Sequence, residues 1–298
     1  MRIIDAHAHV YDKIAGITQH APIASEKKGR VKIGTQLKQF IPPSFENSNS
    51  TIETLIAYMD WAGIEKAVLM SNPLYGYTNE YFLRCVEKYP DRLKAVTAVN
   101  FIEGKKAAEE LAHLYDTTPL FGFKIEADST FQCAPGKRMT DEEYMPVWDC
   151  VNQYHQTAFL HLFTDQQIAD LAVLLERYPK ITFVACHLGA DGCFAPQADK
   201  KNFDFILELA KKYKKLYFDT SYVPAFFQEE YPFPSSVKLI EKAYQTVGAE
   251  RIMWGTDYPG MLNKATIFQL IDFVKVHCSI PEKDMELIMA GNATRLFF

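Results

Sequence analysis

The stretch Ile3-Ile4-Asp5-Ala6-His7-Ala8-His9-Val10 governs how the rest of the chain is read. In an extended strand, residues two apart point the same way. Asp5, His7 and His9 then share one face, with Ile4, Ala6, Ala8 and Val10 on the other. Core packing accounts for the apolar face but poorly for two imidazoles opposite it. Two neutral ring nitrogens converging on one metal ion account for both, as a zinc-like site requires. A bare His-x-His is often just two hydrogen-bonded core histidines. What weighs against that reading here is the placing of further His and Asp residues near the ends of later strands.

Working outward, apolar β-rich runs alternate with amphipathic stretches along the whole chain. Strands are expected at Arg2–His9, Lys66–Ser71, Lys94–Val99, Phe121–Ile125, Ala158–Leu162, Thr182–His187, Leu216–Thr220 and Arg251–Gly255. Eight strands separated by helices predict an α/β fold, a parallel sheet closed as a (β/α)8 TIM barrel. An open doubly wound sheet would call for a Gly-rich phosphate turn after the first strand, and none follows it. With no internal repeat, low-complexity tract or linker, one domain over residues 1–298 is expected.

The helices carry their own signals. Ser50-x-x-Glu53 reads as a capping box before the stripe Ile52, Leu55, Ile56 and Met59, which Gly63 ends. Asn79–Tyr89 and Asp165–Tyr178 each stop before a proline, the second carrying the stripe Ile168, Leu171, Ala172 and Leu175, and Phe203–Lys212, Ser236–Val247 and Thr266–Val276 show similar amphipathic stripes. The tail from Pro281 reads as closing helices packed under the barrel. Two connections are too long to be turns: Tyr11 to Asn49, which directly follows His9, and Ala127 to Thr140. Loops after barrel strands lie on the catalytic face, so both are expected to wall or cover a site.

Composition narrows the function classes. The chain has 298 residues, 48% hydrophobic and 23% charged, enough to bury a large core. A net charge of −5 and the lack of a long Lys/Arg run argue against nucleic acid as a partner. The short cluster Lys27-Lys28-Gly29-Arg30 reads as a solvated loop that could also meet an anionic substrate. Six irregularly spaced cysteines (Cys85, Cys133, Cys150, Cys186, Cys193 and Cys278) suggest no disulfide framework and fit a reducing cytoplasm. Neither a signal peptide nor a membrane span of ~20 apolar residues is expected.

His161 ends the fifth strand, His187 the sixth, and Asp257 follows the eighth in Trp254-Gly255-Thr256-Asp257-Tyr258-Pro259. Parallel strands bring such ends together at the barrel mouth, so these residues and His7 and His9 are expected to form one site. Any one alone could be structural, and Asp257 alone could be a turn residue.

At this point the chain resembles the amidohydrolase superfamily, in the branch of aminocarboxymuconate-semialdehyde decarboxylase and related metal-dependent hydrolases. The matching pieces are Asp5-Ala6-His7-Ala8-His9, His161, His187-Leu188-Gly189, Gly255-Thr256-Asp257-Tyr258-Pro259 and Gly291-Asn292-Ala293-Thr294-Arg295-Leu296. They run in order from the first strand to the last helix. The resemblance implies that His7, His9, His161 and Asp257 bind one divalent metal, Zn2+ first and Mn2+ second. It further implies Asp257 as proton shuttle and His187 as an acid/base or as a donor to a developing oxyanion. A homodimer is an expectation at the level of the family.

Lys124 falls on the inward side of Phe121-Gly122-Phe123-Lys124-Ile125-Glu126, opposite Phe123 and Ile125, where a lysine needs a partner or a task. Three readings are open. It binds a substrate carboxylate, or it pairs with Glu126 or Asp5. In the third, drawn from binuclear members of the superfamily, it is a carboxylated ligand bridging two metals. Two reactions remain for the whole site. One is hydrolysis of an amide, ester or lactone of a small anionic substrate. The other is non-oxidative decarboxylation of a small unsaturated or aromatic acid. A barrel that holds a metal only for stability is a third reading, disfavoured because structural zinc sites leave no open position. Tyr11, Tyr75, Tyr77, Tyr222, Phe226, Phe227 and Tyr258 follow strands and could line an aromatic pocket, though loop packing is the expectation for most of them.

Overall fold

Eight short parallel strands carry the chain around a barrel in a computed structural model, which describes residues 1–17, 21–126, 136–191 and 201–298. The first is β1 (Ile4–Ala8). A separate small sheet follows, of β2 (Ile23–Ser25), β3 (Arg30–Ile33) and β4 (Gln36–Gln39). The barrel resumes with β5 (Lys66–Leu69), β6 (Leu93–Thr97), β7 (Phe121–Glu126) and β8 (Thr157–His161). It ends with β9 (Thr182–Ala185), β10 (Leu216–Asp219) and β11 (Ile252–Met253). Each barrel strand pairs with the next in the order β1-β5-β6-β7-β8-β9-β10-β11. Beyond β11 the chain returns to β1: Ala6 N donates to Trp254 O (3.0 Å), Asp257 N to His7 O (2.8 Å) and His9 N to Tyr258 O (2.7 Å). These bonds close the (β/α)8 barrel and place Asp257 beside His7 of β1 and His9 just after it.

Alternation along the strands sorts their side chains into two layers. Ile4, Ala6, Val68, Val96, Phe159, Val184 and Met253 fill the barrel interior, and Ala290, Ala293 and Phe297 of the C-terminal helices plug it from below. Ala67, Leu69, Ala95, Phe123, Leu160, Phe183 and Phe218 point outward against the helices. The first strand departs from simple alternation. Ile4 and Ala6 pack in the interior, whereas Ala8 and Val10 pack in the outer layer. The pairing with β5 shifts register between Asp5 and Ala8, a bulge that changes which residues face inward. The expected common face of Ile4, Ala6, Ala8 and Val10 is thus broken. The bulge instead sets His7 and His9 above the packed interior.

The strands are shorter than the sequence suggests because their polar ends belong to the loops of the mouth. The helices match closely, with Ile52–Ala62, Asn79–Lys88, Asp165–Arg177, Lys201–Lys212, Pro234–Val247 and Ile267–Lys275 as the expected set. Lys105–Thr117 and Met145–Gln153 complete the ring. The first helix is capped by Thr51, not Ser50: the Thr51 hydroxyl accepts from Thr54 N, and Glu53 pairs with Lys88 instead of closing a box. Ser50 Oγ donates to His9 O (3.4 Å).

The connection expected as a polar loop from Tyr11 to Asn49 holds the antiparallel sheet β2–β4. Ile23 and Val31 pack with Ile14, Tyr11 and Tyr75, so the sheet sits on the barrel mouth by its own small apolar cluster. Of the second long connection, residues 127–135 lie outside the described residues, as do Cys133 and Cys193. Cys85, Cys150, Cys186 and Cys278 are buried and free. Among the described residues no helix is long and apolar enough to cross a membrane.

Candidate active site

His7 is held from behind. Its Nδ1 lies 3.0 Å from Asp219 Oδ2, and both side chains are fully buried. Burial opposes ionisation of Asp219, but His7, His187 and Ser221 override it and hold the carboxyl below its ordinary range. An ionised Asp219 only accepts, so His7 carries its proton on Nδ1 and leaves a lone pair on Nε2. Burial also lowers the His7 pKa to about 4, which keeps the ring neutral. Its Nε2 is buried with no hydrogen-bond partner among the described residues and lies 3.6 Å from Asp257 Oδ1.

His9 is arranged the same way. Its Nδ1 donates to Met70 O (2.8 Å), which turns Nε2 toward Asp257 Oδ1 at 3.2 Å. Burial pushes Asp257 up, yet the hydrogen bond and charge of His9, with His187 and His7, hold its pKa at about 2. His7 Nε2, His9 Nε2 and Asp257 Oδ1 converge here, and among the described residues His7 Nε2 has no hydrogen-bond partner. A divalent cation satisfies all three, and that is the test these residues pass as metal ligands. Gly255 makes the approach possible, since a Cβ there would stand 3.0 Å from His7 Cβ.

His187 follows β9 in a tight turn. His187 and Leu188 take left-handed backbone (φ 56° and 60°), and Asp257 does the same (φ 56°). Such conformations cost energy at non-glycine residues and persist where the surroundings hold them. Here Asp219 Oδ1 accepts from His187 N (3.0 Å) and from Ser221 N (3.2 Å) and Oγ. His187 Nδ1 donates to Ser221 O (2.8 Å), leaving its other nitrogen as the acceptor. Burial lowers the His187 pKa, with the charge of His161 acting the same way. A neutral His187 of this tautomer accepts a proton more readily than it donates to an oxyanion. One ligand atom each from His7, His187 and Asp257 lies within 4.8 Å of the others.

A second arm runs across β7 and β8. Lys124 Nζ is ion-paired with Glu126 Oε1, which also accepts from Asn72 Nδ2 (3.2 Å). Glu126 Oε2 lies 2.6 Å from His161 Nδ1, and His161 Nε2 lies against Asp191 Oδ2. Burial alone would lower the His161 pKa, but Glu126 and Asp191 raise it to about 10. His161 therefore stands in a group with His187 and Asp191, its ring 4.4 Å from that of His187. Of the three readings of Lys124, the pairing with Glu126 is a contact that the structure contains.

The two arms floor one cavity of about 750 Å³ at the C-terminal ends of the strands, lined by His9, Lys124, Glu126, His161, His187 and Asp257. Tyr75, Phe163 and Tyr222 line its walls, and the small sheet overhangs it with Ile33 and Lys38. Every expected site residue thus borders one centre, although His161 is turned to carboxylates. Asp219 and Asp191 join the site beyond the residues expected from the sequence. Asp219 ends the run Leu216-Tyr217-Phe218-Asp219 and so carries the strand-end signal. Asp191, four residues beyond His187, carries none.

A family model described as amidohydrolase matches residues 4–298. Solved structures share the fold. A probable 2-pyrone-4,6-dicarboxylic acid hydrolase of Acinetobacter baumannii, with citric acid bound, matches at TM-score 0.73 and 19% identity over 100% of this chain and 99% of its own. An amidohydrolase of Burkholderia multivorans with bound zinc matches at 0.73 and 14%, over 100% and 99%. The 5-carboxyvanillate decarboxylase LigW of Sphingomonas paucimobilis matches at 0.62 and 17%, over 81% of each chain. No curated protein matches.

Proposed function

Because the chain belongs to the amidohydrolase family, we propose that it is a metal-dependent hydrolase of an amide, ester or lactone bond in a small carboxylate-bearing substrate. The observation that carries this reading is an ionised Asp257 set beside the outward nitrogens of His7 and His9 on the cavity floor. In the proposal His7, His9 and Asp257 hold one divalent cation, Zn2+ first and Mn2+ second. His161 completes the set through the Nε2 that otherwise meets Asp191. The cation supplies Lewis acidity at a carbonyl oxygen and at water. Asp257 Oδ accepts the proton from the attacking water and returns it to the leaving group, and its low pKa keeps the carboxylate ionised and so able to accept. His187 is the second acceptor, its ring fixed by Ser221 and Asp219. Lys124 contributes positive charge toward the substrate carboxylate, with Glu126 setting its position.

A decarboxylase is the second reading, favoured by one observation: His161, held as an imidazolium, lines the same cavity and is an acid that could protonate carbon. Metal-reconstituted protein, offered a panel of lactones, esters, amides and aromatic acids, separates the two. Acid release without CO2 is expected. Release of CO2 from an aromatic acid, with every lactone, ester and amide left intact, would overturn the hydrolase reading.

A further inference from the structure

Tyr75 reaches the cavity from the loop after β5. Its turn, Pro73–Tyr75, starts at Asn72, whose Oδ1 accepts from Leu74 N (3.0 Å). Asn72 Nδ2 donates to Glu126 Oε1 (3.2 Å), so one side chain caps the turn and ties it to the cavity floor. Gly16 packs against the same turn because it lacks a side chain: a Cβ there would stand 1.8 Å from Pro73 O. Ile17 N donates to that oxygen at 3.2 Å. The ring is held as closely as the turn. Tyr11 stacks on it with 4.1 Å between centroids, while His9 at 5.3 Å and Phe40 at 6.4 Å meet it edge to face.

This fixed phenol has an unused donor. Tyr75 is only 8% exposed, and it lines the cavity. Among the described residues its hydroxyl makes no hydrogen bond. Burial, the neighbouring Tyr11 and the charges of Asp257 and Glu126 push its pKa well above the ordinary range, so it keeps its proton. Polar groups buried to this degree are normally hydrogen-bonded, and here the open side is the cavity. Two nearby tyrosines differ. The Tyr11 hydroxyl also lacks a partner among the described residues, but Tyr11 is 1% exposed and covered by the Tyr75 ring. Tyr222 lines the cavity too, yet at 37% exposure solvent can serve its hydroxyl. A ligand that fills the cavity shields the Tyr75 donor from water, and must offer it an acceptor or lose affinity.

We infer that the Tyr75 hydroxyl donates a hydrogen bond to the substrate, at the carbonyl or ester oxygen held beside His9 and Asp257. Such a donor strengthens its bond as negative charge builds on that oxygen, which makes Tyr75 a catalytic residue. The inference rests on the proposed reading of the floor as a metal centre that takes a carbonyl group. It goes beyond that reading by adding a protein donor from the loop after β5.

The test is titration calorimetry of benzohydroxamate and of imidazole against the zinc-loaded protein. Benzohydroxamate brings a carbonyl oxygen to a bound zinc ion, whereas imidazole is a zinc ligand with no oxygen. Tyr75→Phe keeps the ring and removes only the hydroxyl. It should weaken benzohydroxamate about tenfold, as loss of one hydrogen bond gives, and leave imidazole and zinc affinity unchanged. Tyr77→Phe, on the same loop but 58% exposed, should change none of the three. A second readout needs no variant. With carbon-13 at the oxygen-bearing ring carbon of tyrosine, benzohydroxamate should shift an NMR signal that imidazole leaves in place. Unchanged hydroxamate affinity in Tyr75→Phe, an equal loss for both probes, or no such signal overturns the inference and leaves the floor reading intact. Zinc uptake with no hydroxamate binding also overturns it. Failure to take up zinc is the separate failure of the floor reading, and this inference falls with it.

Discussion

Asp219 touches no reacting atom in this scheme, yet it holds both His7 and the turn that carries His187. Losing its charge frees the His7 proton to move to Nε2, the nitrogen needed by a metal. Asp219→Asn should therefore weaken zinc affinity about 10- to 100-fold, read by competition with a chromophoric chelator. An unchanged affinity would show that Asp219 is a packing residue only. Asp257→Asn keeps the size of the side chain and removes the base. Turnover should fall about 10²- to 10⁴-fold while metal content falls far less, and full activity would refute the shuttle role. His161→Ala separates its two partners: metal affinity should fall more than about a hundredfold if Nε2 is a ligand. Metal content that matches the unaltered protein would instead leave His161 as the imidazolium between Glu126 and Asp191. At this scale the sequence shows the ligand types, because His and Asp at the ends of apolar strands are conspicuous. It conceals the second carboxylate of each pair. Asp219 reads equally well as a turn residue, and Asp191 lies beyond the strand end with no periodic signal around it.

Elements were legible in proportion to their length. A helix of ten or more residues repeats its stripe several times, and the caps add a local signal. Thr164 and Gln167 form a complete box at the start of Asp165–Arg177. Thr164→Ala should cost about 1 kcal/mol in denaturant unfolding, and no change in the midpoint would refute the box. Strands β2, β3 and β4 are three or four residues long, too short to show alternation against a polar background. Their apolar residues gain meaning only from pairing, which sets Ile23, Val31 and Ile33 on one face. The displaced cap on the first helix has a similar origin. Ser50 has the right residue type, but its backbone pairs with Tyr11 and its hydroxyl turns to His9, so Thr51 takes the end of the helix.

For the molecule as a whole, the proposed metal links folding to loading, because the ligand set exists only when β1 and the segment after β11 meet. Zinc at about 100 times its dissociation constant should add about 2.7 kcal/mol of stability, raising the melting temperature by several degrees over chelator-treated protein. A melting curve indifferent to zinc and manganese would remove the centre from the account. The sequence by itself determined the alternation of eight strands with helices, hence the barrel, and the residues that end its strands. Both are periodic or terminal features that each segment states locally. Only the tertiary structure decided which carboxylate meets which imidazole and where the bulge turns β1. Those depend on strand pairing and on closure, which bring Asp219 to His7 across 212 residues of chain, a separation at which no local pattern can speak.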